Sequence, residues 1–413
     1  MQGNANTRRL RGTGGCTRVP GGERCTLVAG MILLCCPAAG HAAEWSFDPA
    51  VAVLLGYESN AALMTVPHKG VSEGILSPGL SVRRSTETSA VNIRLLGKAT
   101  YYSGSEFPDT QQGQAALSSF VQSTERTKFG LDAVSRWDTL FQSAVLGTGT
   151  GNIQDVDVGL VTTKVRRAWR EVRPSVTYAL TERSSVQFLY RLTDVQFRNV
   201  GTTGLVDYQQ NYLSGTYSYR LTPTDDLNLV ALGAKYHPSI GTDSDTVEML
   251  AGMAHRFSET ATAGLRAGAG KTTETRSDGS RVDTSLFVLE ARGSEQSELS
   301  LLEAVISRDV QPSGSGRSVS ADQLRLDWNR RLSETIRSTL RSTAFRNKSL
   351  QGSDPAVDRR YVEASAGVNW IVAPEWSVGV AYQYRYQKYD ASLNAARSNG
   401  VFVAVNWAPP RRR

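Results

Sequence analysis

Basic side chains recur on one face of segments that alternate between apolar and polar residues. Arg337 and Arg341, for example, are four residues apart in one such segment. In an extended strand, residues two or four apart point to the same side, so these cations would line one surface. A basic surface inside a pore attracts anions. We predict a basic stripe formed by Arg94, Lys98, Arg325, Arg337, Arg341 and Arg385.

The same predicted face carries further charges of both signs. The additional bases are Lys128, Arg136, Arg173, Arg191 and Arg266, and the acids are Asp132, Glu171, Glu248, Glu290, Glu303, Asp327 and Glu363. Two interpretations stay open. The bases could form a conduit for an acidic polymer or an anionic solute, or they could pair with acids across strands and simply fill the interior.

Catalytic and cofactor chemistry has little support in the sequence. All four cysteines lie within the first 43 residues, which excludes disulfides and thiolate metal sites from the rest of the chain. The remaining histidines, His68, His237 and His255, have no serine and carboxylate at recognisable positions. The glycine-rich run at 147–152 lacks the lysine of a phosphate-binding loop. We predict no enzyme activity, no cofactor and no metal site.

Short turns of serine or threonine with glutamate separate the alternating segments. They are Ser85-Thr86-Glu87, Ser123-Thr124-Glu125, Thr181-Glu182-Arg183, Ser258-Glu259-Thr260 and Ser333-Glu334-Thr335. The connections between successive turns are longer and rich in Gly, Ser and Asp, and the longest, from Thr139 to Lys164, is predicted to cover one mouth. Short turns on one side, longer loops on the other and alternating strands between them are typical of a transmembrane β-barrel.

The fold class follows from the number of strands and from the arguments against a helical membrane protein and a soluble β-sandwich. The segments predict an all-β, up-and-down antiparallel barrel of about 18 strands, with 16 as the alternative. After the N-terminal segment no run of 18 apolar residues occurs, which argues against a helical membrane protein. A soluble β-sandwich would also alternate, but so many hairpin-connected strands without helices would be unusual for one.

Aromatic residues cluster near the ends of many predicted strands, as expected for belts at the two membrane interfaces. On the short-turn side they are Trp45, Phe47, Phe257, Trp328, Trp370, Trp376 and Trp407. On the long-loop side they are Tyr101, Tyr102, Trp137, Phe197, Tyr236, Phe345 and Tyr386. We predict two aromatic belts facing the lipid.

The N-terminal segment has the features of a secretory signal. Residues 1–43 combine five arginines, an apolar run from Thr26 to Cys36 and small residues before Glu44, so we expect cleavage after Ala42 or Ala43. The barrel is predicted over 44–407, with a short basic tail at 408–413. Loss of the signal lowers the net charge from +7 to +3, so the high pI does not argue for nucleic-acid binding.

Three short motifs resemble a known family. Gly56-Tyr57-Glu58-Ser59-Asn60, the run from Leu76 to Val82 and the run from Arg173 to Arg183 are similar to recurrent patterns of the β-barrel porin 2 family. Members of this family often accompany exopolysaccharide production in Gram-negative bacteria. One departure is that Trp407 is followed by Ala408 and two prolines, whereas such barrels usually end on an aromatic residue.

By this resemblance, the leading expectation is a bacterial outer-membrane barrel that serves as a conduit or accessory for exopolysaccharide export. The alternatives are a non-conducting structural or assembly barrel and a general small-solute porin. The partners expected are outer-membrane lipids, the outer-membrane assembly machinery, an acidic polysaccharide and periplasmic export components. No nucleic-acid partner is expected.

Overall fold

A computed structural model describes residues 44–65, 68–104, 107–140, 164–276, 278–350 and 357–410. The predicted signal segment and most of the 139–164 loop lie outside these residues. No described helix is long and apolar enough to cross a membrane.

The described chain forms eighteen antiparallel strands in one sheet, which confirms the predicted fold class. Each strand pairs with its neighbours in sequence, and β1 pairs with β18 to close the barrel. Closure leaves no unpaired edge, as a strand structure in lipid requires. The strands are β1 Glu44–Glu58, β2 Val71–Ser85, β3 Ser89–Tyr102, β4 Thr110–Gln122, β5 Thr127–Leu140, β6 Val165–Ala179, β7 Ser184–Arg198, β8 Tyr208–Arg220, β9 Asp225–Pro238, β10 Asp243–Arg256, β11 Ala261–Thr275, β12 Arg281–Gln296, β13 Ser300–Pro312, β14 Ser318–Arg331, β15 Ile336–Ser349, β16 Arg359–Ala373, β17 Trp376–Tyr389 and β18 Ala396–Trp407.

A repeated hydroxyl contact explains the short turns. In the turn before β15, the Ser333 hydroxyl accepts hydrogen bonds from the backbone N–H groups of Thr335 at 3.3 Å and Ile336 at 3.0 Å. Thr181 makes the same pair of contacts before β7. Serine and threonine favour such turns because their side chains satisfy backbone donors locally. The hydroxyl therefore explains why serine or threonine recurs in the turns. All these turns lie at one rim because each follows an even-numbered strand of the antiparallel barrel.

The outer surface of the barrel is apolar. On β1, Phe47, Leu55 and Tyr57 are each more than half exposed and point outward, whereas Glu58 points into the lumen. Phe188, Leu213 and Val380 show the same exposure on other strands. Large apolar side chains face outward because the surrounding medium is hydrocarbon. The strands, each 12–16 residues long, are long enough for a tilted crossing of a bilayer.

The predicted extracellular aromatic belt is wrong in part. Tyr101 and Trp137 are exposed on the outer face. In contrast, Phe197, Tyr236 and Phe345 are buried on the lumen face. Parity along each strand decides between lipid and lumen, and clustering near strand ends does not distinguish the two. These aromatic residues therefore belong to the interior of the barrel.

Candidate functional site

The lumen carries the polar and charged side chains of the barrel, and all six residues of the predicted stripe lie on its face. They occupy the strand positions that alternate with exposed apolar residues such as Leu95, Leu324 and Val380. They do not form one continuous stripe. Arg325, Arg337 and Arg341 are together on β14 and β15, Arg385 lies on β17, and Arg94 with Lys98 lies on β3.

The β14–β15 group is a cationic cluster around one acid. Asp327 Oδ2 lies 2.5 Å from Arg325 Nε, and Asp327 Oδ1 lies 3.5 Å from Arg341 Nε. Arg337 is directly opposite Arg331 in the ladder and is exposed. Because several bases share one carboxylate, this part of the lumen keeps a positive charge.

Arg385 belongs to a buried ion pair. Its guanidinium contacts the Glu58 carboxylate and donates a hydrogen bond to the carbonyl of Ala61 at 3.2 Å. Both side chains are less than 10% exposed. A buried pair of this kind is neutral overall. Arg385 therefore holds two parts of the structure together and adds no free positive charge to the lumen.

The Gly56–Asn60 motif anchors the loop between β1 and β2. The Asn60 side chain donates to the carbonyl of Met64 at 2.8 Å and to that of Arg397 at 3.1 Å. Leu63, which has a positive φ of 44°, is buried with Phe345, Tyr361 and Ala396. The motif thus turns the start of this loop inward, against the walls of β15, β16 and β18.

A second apolar cluster fills the lumen on the opposite side. Leu140, Val165, Trp169, Val195, Phe197, Leu205, Tyr208 and Tyr236 are buried together. The Tyr236 hydroxyl donates to the carbonyl of Ser313 at 2.5 Å, which ties the β13–β14 loop across the mouth. That loop also accepts hydrogen bonds from Val206 N at 2.8 Å and Thr242 N at 3.0 Å. The long-loop half of the lumen is therefore narrowed by packed side chains and loops.

The β13–β14 loop approaches the β9–β10 loop very closely at two glycines. Gly241 and Gly316 have φ values of 133° and 81°, and a Cβ on Gly241 would overlap the Gly316 backbone. Only glycine adopts these angles without strain and leaves the space needed. The contact between the two loops therefore depends on both glycines.

Below this narrowed part is a cavity of about 530 Å³. Among the side chains that line it are Arg173, Arg191, Tyr212, Glu248, Glu290 and Asp309. The Arg191 guanidinium lies 4.4 Å from the centre of the Tyr212 ring, and Arg266 lies 3.7 Å from Glu290. A second cavity of about 460 Å³ is lined by Arg94, Lys98 and Arg136 on the inner wall of β1 to β5. Cationic and aromatic groups around cavities of this size suit small polar solutes.

The charges of the lumen are distributed unequally between its two halves. In the half near the short turns, the inward-facing bases are Arg83, Arg94, Lys128, Arg173, Arg220, Arg256, Arg266, Arg292, Arg325, Arg331, Arg337 and Arg341. The inward-facing acids there are Glu44, Asp48, Asp132, Asp226, Glu290, Glu303 and Asp327. The long-loop half contains the acids Glu58, Glu73, Asp138, Glu171, Glu248, Glu274, Asp309 and Glu363, together with the bases Lys98, Arg136, Arg167, Arg191, Arg359 and Arg385. The lumen is therefore basic toward the short-turn rim.

Several interior residues were missing from the sequence-based prediction. Glu58 belonged to a recognised motif, but nothing in the sequence indicated that Arg385 would meet it from β17. Glu73 and Asp309 were not identified, although their parity within β2 and β13 places them inside. The parity that would have found them is set within each strand, by the exposed Leu76 on β2 and the exposed Ile306 on β13. Their partners across the lumen depend on barrel closure.

The closed wall, the apolar exterior and the placement of the loops together indicate which membrane contains this chain. A bilayer is crossed by closed barrels because no backbone group is left unpaired. Single-chain barrels with an even number of strands, short turns at one rim and longer loops at the other are typical of bacterial outer membranes. The protein is an outer-membrane β-barrel. Its short turns therefore face the periplasm and its longer loops face outward.

No family model matches the sequence, and no curated protein matches it. Solved structures of similar architecture include OccK9 (OpdG) of Pseudomonas aeruginosa, at 10% identity and TM-score 0.44, covering 89% of this chain and 99% of that one. A BenF-like porin of Pseudomonas fluorescens Pf-5 has 8% identity and TM-score 0.45, with 89% and 99% covered. OccK2 (OpdF) of Pseudomonas aeruginosa, in complex with glucuronate, has 10% identity and TM-score 0.46, with 88% and 98% covered.

Proposed function

We propose that this protein is an outer-membrane channel for small solutes, with a preference for anions. The observation that carries this proposal is the surplus of accessible base in the periplasmic half of the lumen. Arg337 and Arg292 are exposed there, and Arg341 is 53% exposed. Fixed positive charge in a narrow aqueous space raises the local concentration of anions.

The narrowed extracellular half of the lumen limits the size of a solute that could pass. Two apolar clusters and the inward β1–β2 loop occupy much of the mouth among the described residues. A wide path for a polymer chain is not favoured by this arrangement. Export of an exopolysaccharide therefore rests on the family resemblance alone, and membership of the β-barrel porin 2 family stays a prediction. In its favour, Glu58, Ser59 and Asn60 of the motif each have a structural contact.

A second candidate is a non-conducting structural barrel. The observation that favours it is the same narrowed extracellular half of the lumen, in which Arg385, Glu58 and Tyr361 are all buried. If this narrowed half is closed to ions, the basic half would be a cavity that opens only to the periplasm. The two candidates differ in whether ions cross, so a conductance measurement separates them.

The test is single-channel recording of the purified barrel in a planar bilayer with a salt gradient. We expect discrete conductance and a reversal potential that indicates anion selectivity. The double variant Arg337→Glu with Arg341→Glu should lower the ratio of anion to cation permeability severalfold. The matched control is Arg330→Glu, which changes charge on the outward face of β14. Its selectivity should equal that of the wild type.

Two outcomes would contradict the proposal. Complete absence of current at every voltage, with the barrel verified as inserted, would support the non-conducting barrel. Selectivity that is unchanged in the Arg337 and Arg341 variant would show that the periplasmic bases do not act on permeating ions. Stepwise block of the current by long acidic oligosaccharides, but not by monomeric acids, would favour a conduit for a polymer.

A further inference from the structure

A row of charged side chains crosses the outer face of the barrel near the extracellular ends of β13 to β17. Arg308 is opposite Asp322, which is opposite Arg346 on β15. Arg346 is in turn opposite Arg360 on β16, and Arg360 is opposite Lys388 on β17. These positions share the face of the exposed residues Ile306 and Leu324, two positions away on their strands. The row therefore faces the membrane and not the lumen.

This outer cationic row has too few acids to balance it. Asp322 is occupied by Arg308, with its two oxygens 2.5 and 3.1 Å from the guanidinium nitrogens. Arg360 Nε is 3.7 Å from Asp390. Among the described residues, Arg346 and Lys388 have no ion pair, and the buried Arg346 Nε has no hydrogen-bond partner. Like charges directly opposite each other on a sheet are destabilising, so a succession of three bases needs a counterion.

Three other outward cations of the barrel each have an acid as neighbour. Arg170 is opposite Asp194, with their charged atoms 3.3 Å apart. Lys235 is opposite Asp245 at 3.7 Å, and Lys271 is 2.7 Å from Asp283. In these three cases an acid on the neighbouring strand balances the base. Opposed bases also occur at Arg166 and Arg198 on the outer face of β6 and β7. The β15–β17 sector differs in presenting three successive bases, Arg346, Arg360 and Lys388, beside an apolar groove.

An apolar groove lies directly beside the row. It has a volume of about 470 Å³, and Arg308, Arg346 and Arg360 are among the residues that line it. Its remaining outward walls are the acid Asp322 and the apolar residues Phe287, Leu289, Ile306, Leu324, Ala344 and Val362. The groove thus joins a cationic rim to a hydrocarbon-like surface. An amphiphile with an anionic head and an acyl chain would match both parts.

The level of the row fits the headgroup region. A tilted strand rises roughly 2.5 Å per residue along the barrel axis, so the hydrocarbon band of about 25 Å corresponds to about 10 residues. Lys388 lies near the end of β17, which starts at Trp376. Arg360 is the second residue of β16 from its extracellular end. Both are therefore above the hydrocarbon and within reach of lipid phosphates in the outer leaflet.

We propose that the outer cationic row binds a phosphorylated glycolipid of the outer leaflet, of the lipid A type. Its phosphates lie against Arg346, Arg360 and Lys388, and one acyl chain occupies the groove. Guanidinium groups suit this role because they bind phosphate through two parallel hydrogen bonds. The bound phosphate supplies the counterion that the protein itself lacks at this sector. This site is independent of whether the lumen conducts.

The test is native mass spectrometry of the barrel refolded in detergent without lipopolysaccharide and then mixed with diphosphoryl lipid A. We expect one retained lipid per barrel. The triple variant Arg346→Ser, Arg360→Ser and Lys388→Ser should lower its affinity roughly tenfold or more. The matched control removes three balanced outward cations by Arg170→Ser, Lys235→Ser and Lys271→Ser. It should bind like the wild type.

Two arms use only the wild-type barrel, so the proposal stays falsifiable if the triple variant fails to refold. Fully dephosphorylated lipid A should bind at least tenfold more weakly, and millimolar inorganic phosphate should not displace diphosphoryl lipid A. Equal binding of the dephosphorylated lipid would overturn the role of phosphate. Full displacement by inorganic phosphate would show a simple anion site. Loss of lipid A binding in the control triple variant would show that any outward cation attracts the lipid, and not this row in particular.

Discussion

At the scale of single residues, the contact between Arg385 and Glu58 joins two distant parts of the chain. Arg385 lies on β17 and Glu58 ends β1, and both are buried in the lumen wall. Arg385 also holds the carbonyl of Ala61, the residue after the Gly56–Asn60 motif. The ion pair therefore fixes the inward course of the β1–β2 loop.

Replacement of Arg385 alone should be strongly destabilising. Arg385→Met leaves the Glu58 carboxylate buried without its partner, which typically costs about 3–5 kcal/mol of unfolding free energy. Combining Arg385→Met with Glu58→Gln should recover most of that loss, since neither charge is then isolated. Urea unfolding of the barrel in micelles measures both variants. Arg337→Met, an exposed lumen residue, is the control and should change stability little.

At the scale of elements, the turn between β8 and β9 combines the repeated hydroxyl contact with an acid. Thr222 Oγ1 accepts hydrogen bonds from Thr224 N at 3.2 Å and Asp225 N at 2.9 Å, and it donates to Asp225 Oδ2 at 2.5 Å. The other Asp225 oxygen lies 2.7 Å from His255 Nδ1. Asp225 is at the periplasmic rim, below Leu227, the first outward apolar residue of β9.

This turn should make stability depend on pH. The hydrogen bond from Thr222, followed by that from His255, lowers the pKa of Asp225 below its ordinary value of 3.8. A lowered carboxyl pKa adds stability at pH values above 3.8, and this contribution is lost as the pH falls through the lowered pKa. In Thr222→Val, the difference in urea midpoint between neutral pH and about pH 3 should therefore be smaller than in the wild type. Asp226→Asn, beside the turn, serves as the control, and an equal change there would contradict the argument.

At the scale of the whole molecule, the barrel depends on the ladder between its first and last strands. The ladder runs from Val51 opposite Trp407 to Glu58 opposite Gly400. Beyond it, Ala408 N donates to the carbonyl of Glu375 at 2.9 Å, and Pro409 and Pro410 lie outside the strands. Proline cannot continue a ladder because it lacks the N–H donor. The wall therefore ends at Trp407.

Truncation tests which of these parts the barrel needs. Deletion of residues 409–413 should leave assembly intact, because no ladder bond is removed. Deletion of 396–413 removes β18 and exposes the edges of β1 and β17, which lipid does not tolerate. Heat-dependent migration on a denaturing gel distinguishes the folded barrel from the unfolded chain. A folded barrel from the longer deletion would show that closure does not require β18.

The sequence alone determined the elements that depend on local physics. Alternation with a period of two predicted which face of β3, β14, β15 and β17 would carry Arg94, Arg325, Arg341 and Arg385. The hydroxyl turns predicted the periplasmic rim, because their hydrogen bonds join residues only two or three apart. The closed barrel followed from these local patterns together with the absence of a long apolar run.

Only the tertiary structure decided which charges meet. Glu58 and Arg385 are 327 residues apart, and their contact exists only because β1 and β18 close the wall. Likewise, the outer cationic row combines residues of five strands. Alternation in the sequence gives the face of each residue, but it does not give the register in which neighbouring strands pair. Phe197, Tyr236 and Phe345 were misplaced for a local reason, because their parity within β7, β9 and β15 puts them on the lumen face. Parity and register across the closed sheet, and not residue type, decide whether a side chain meets lipid, water or another chain segment.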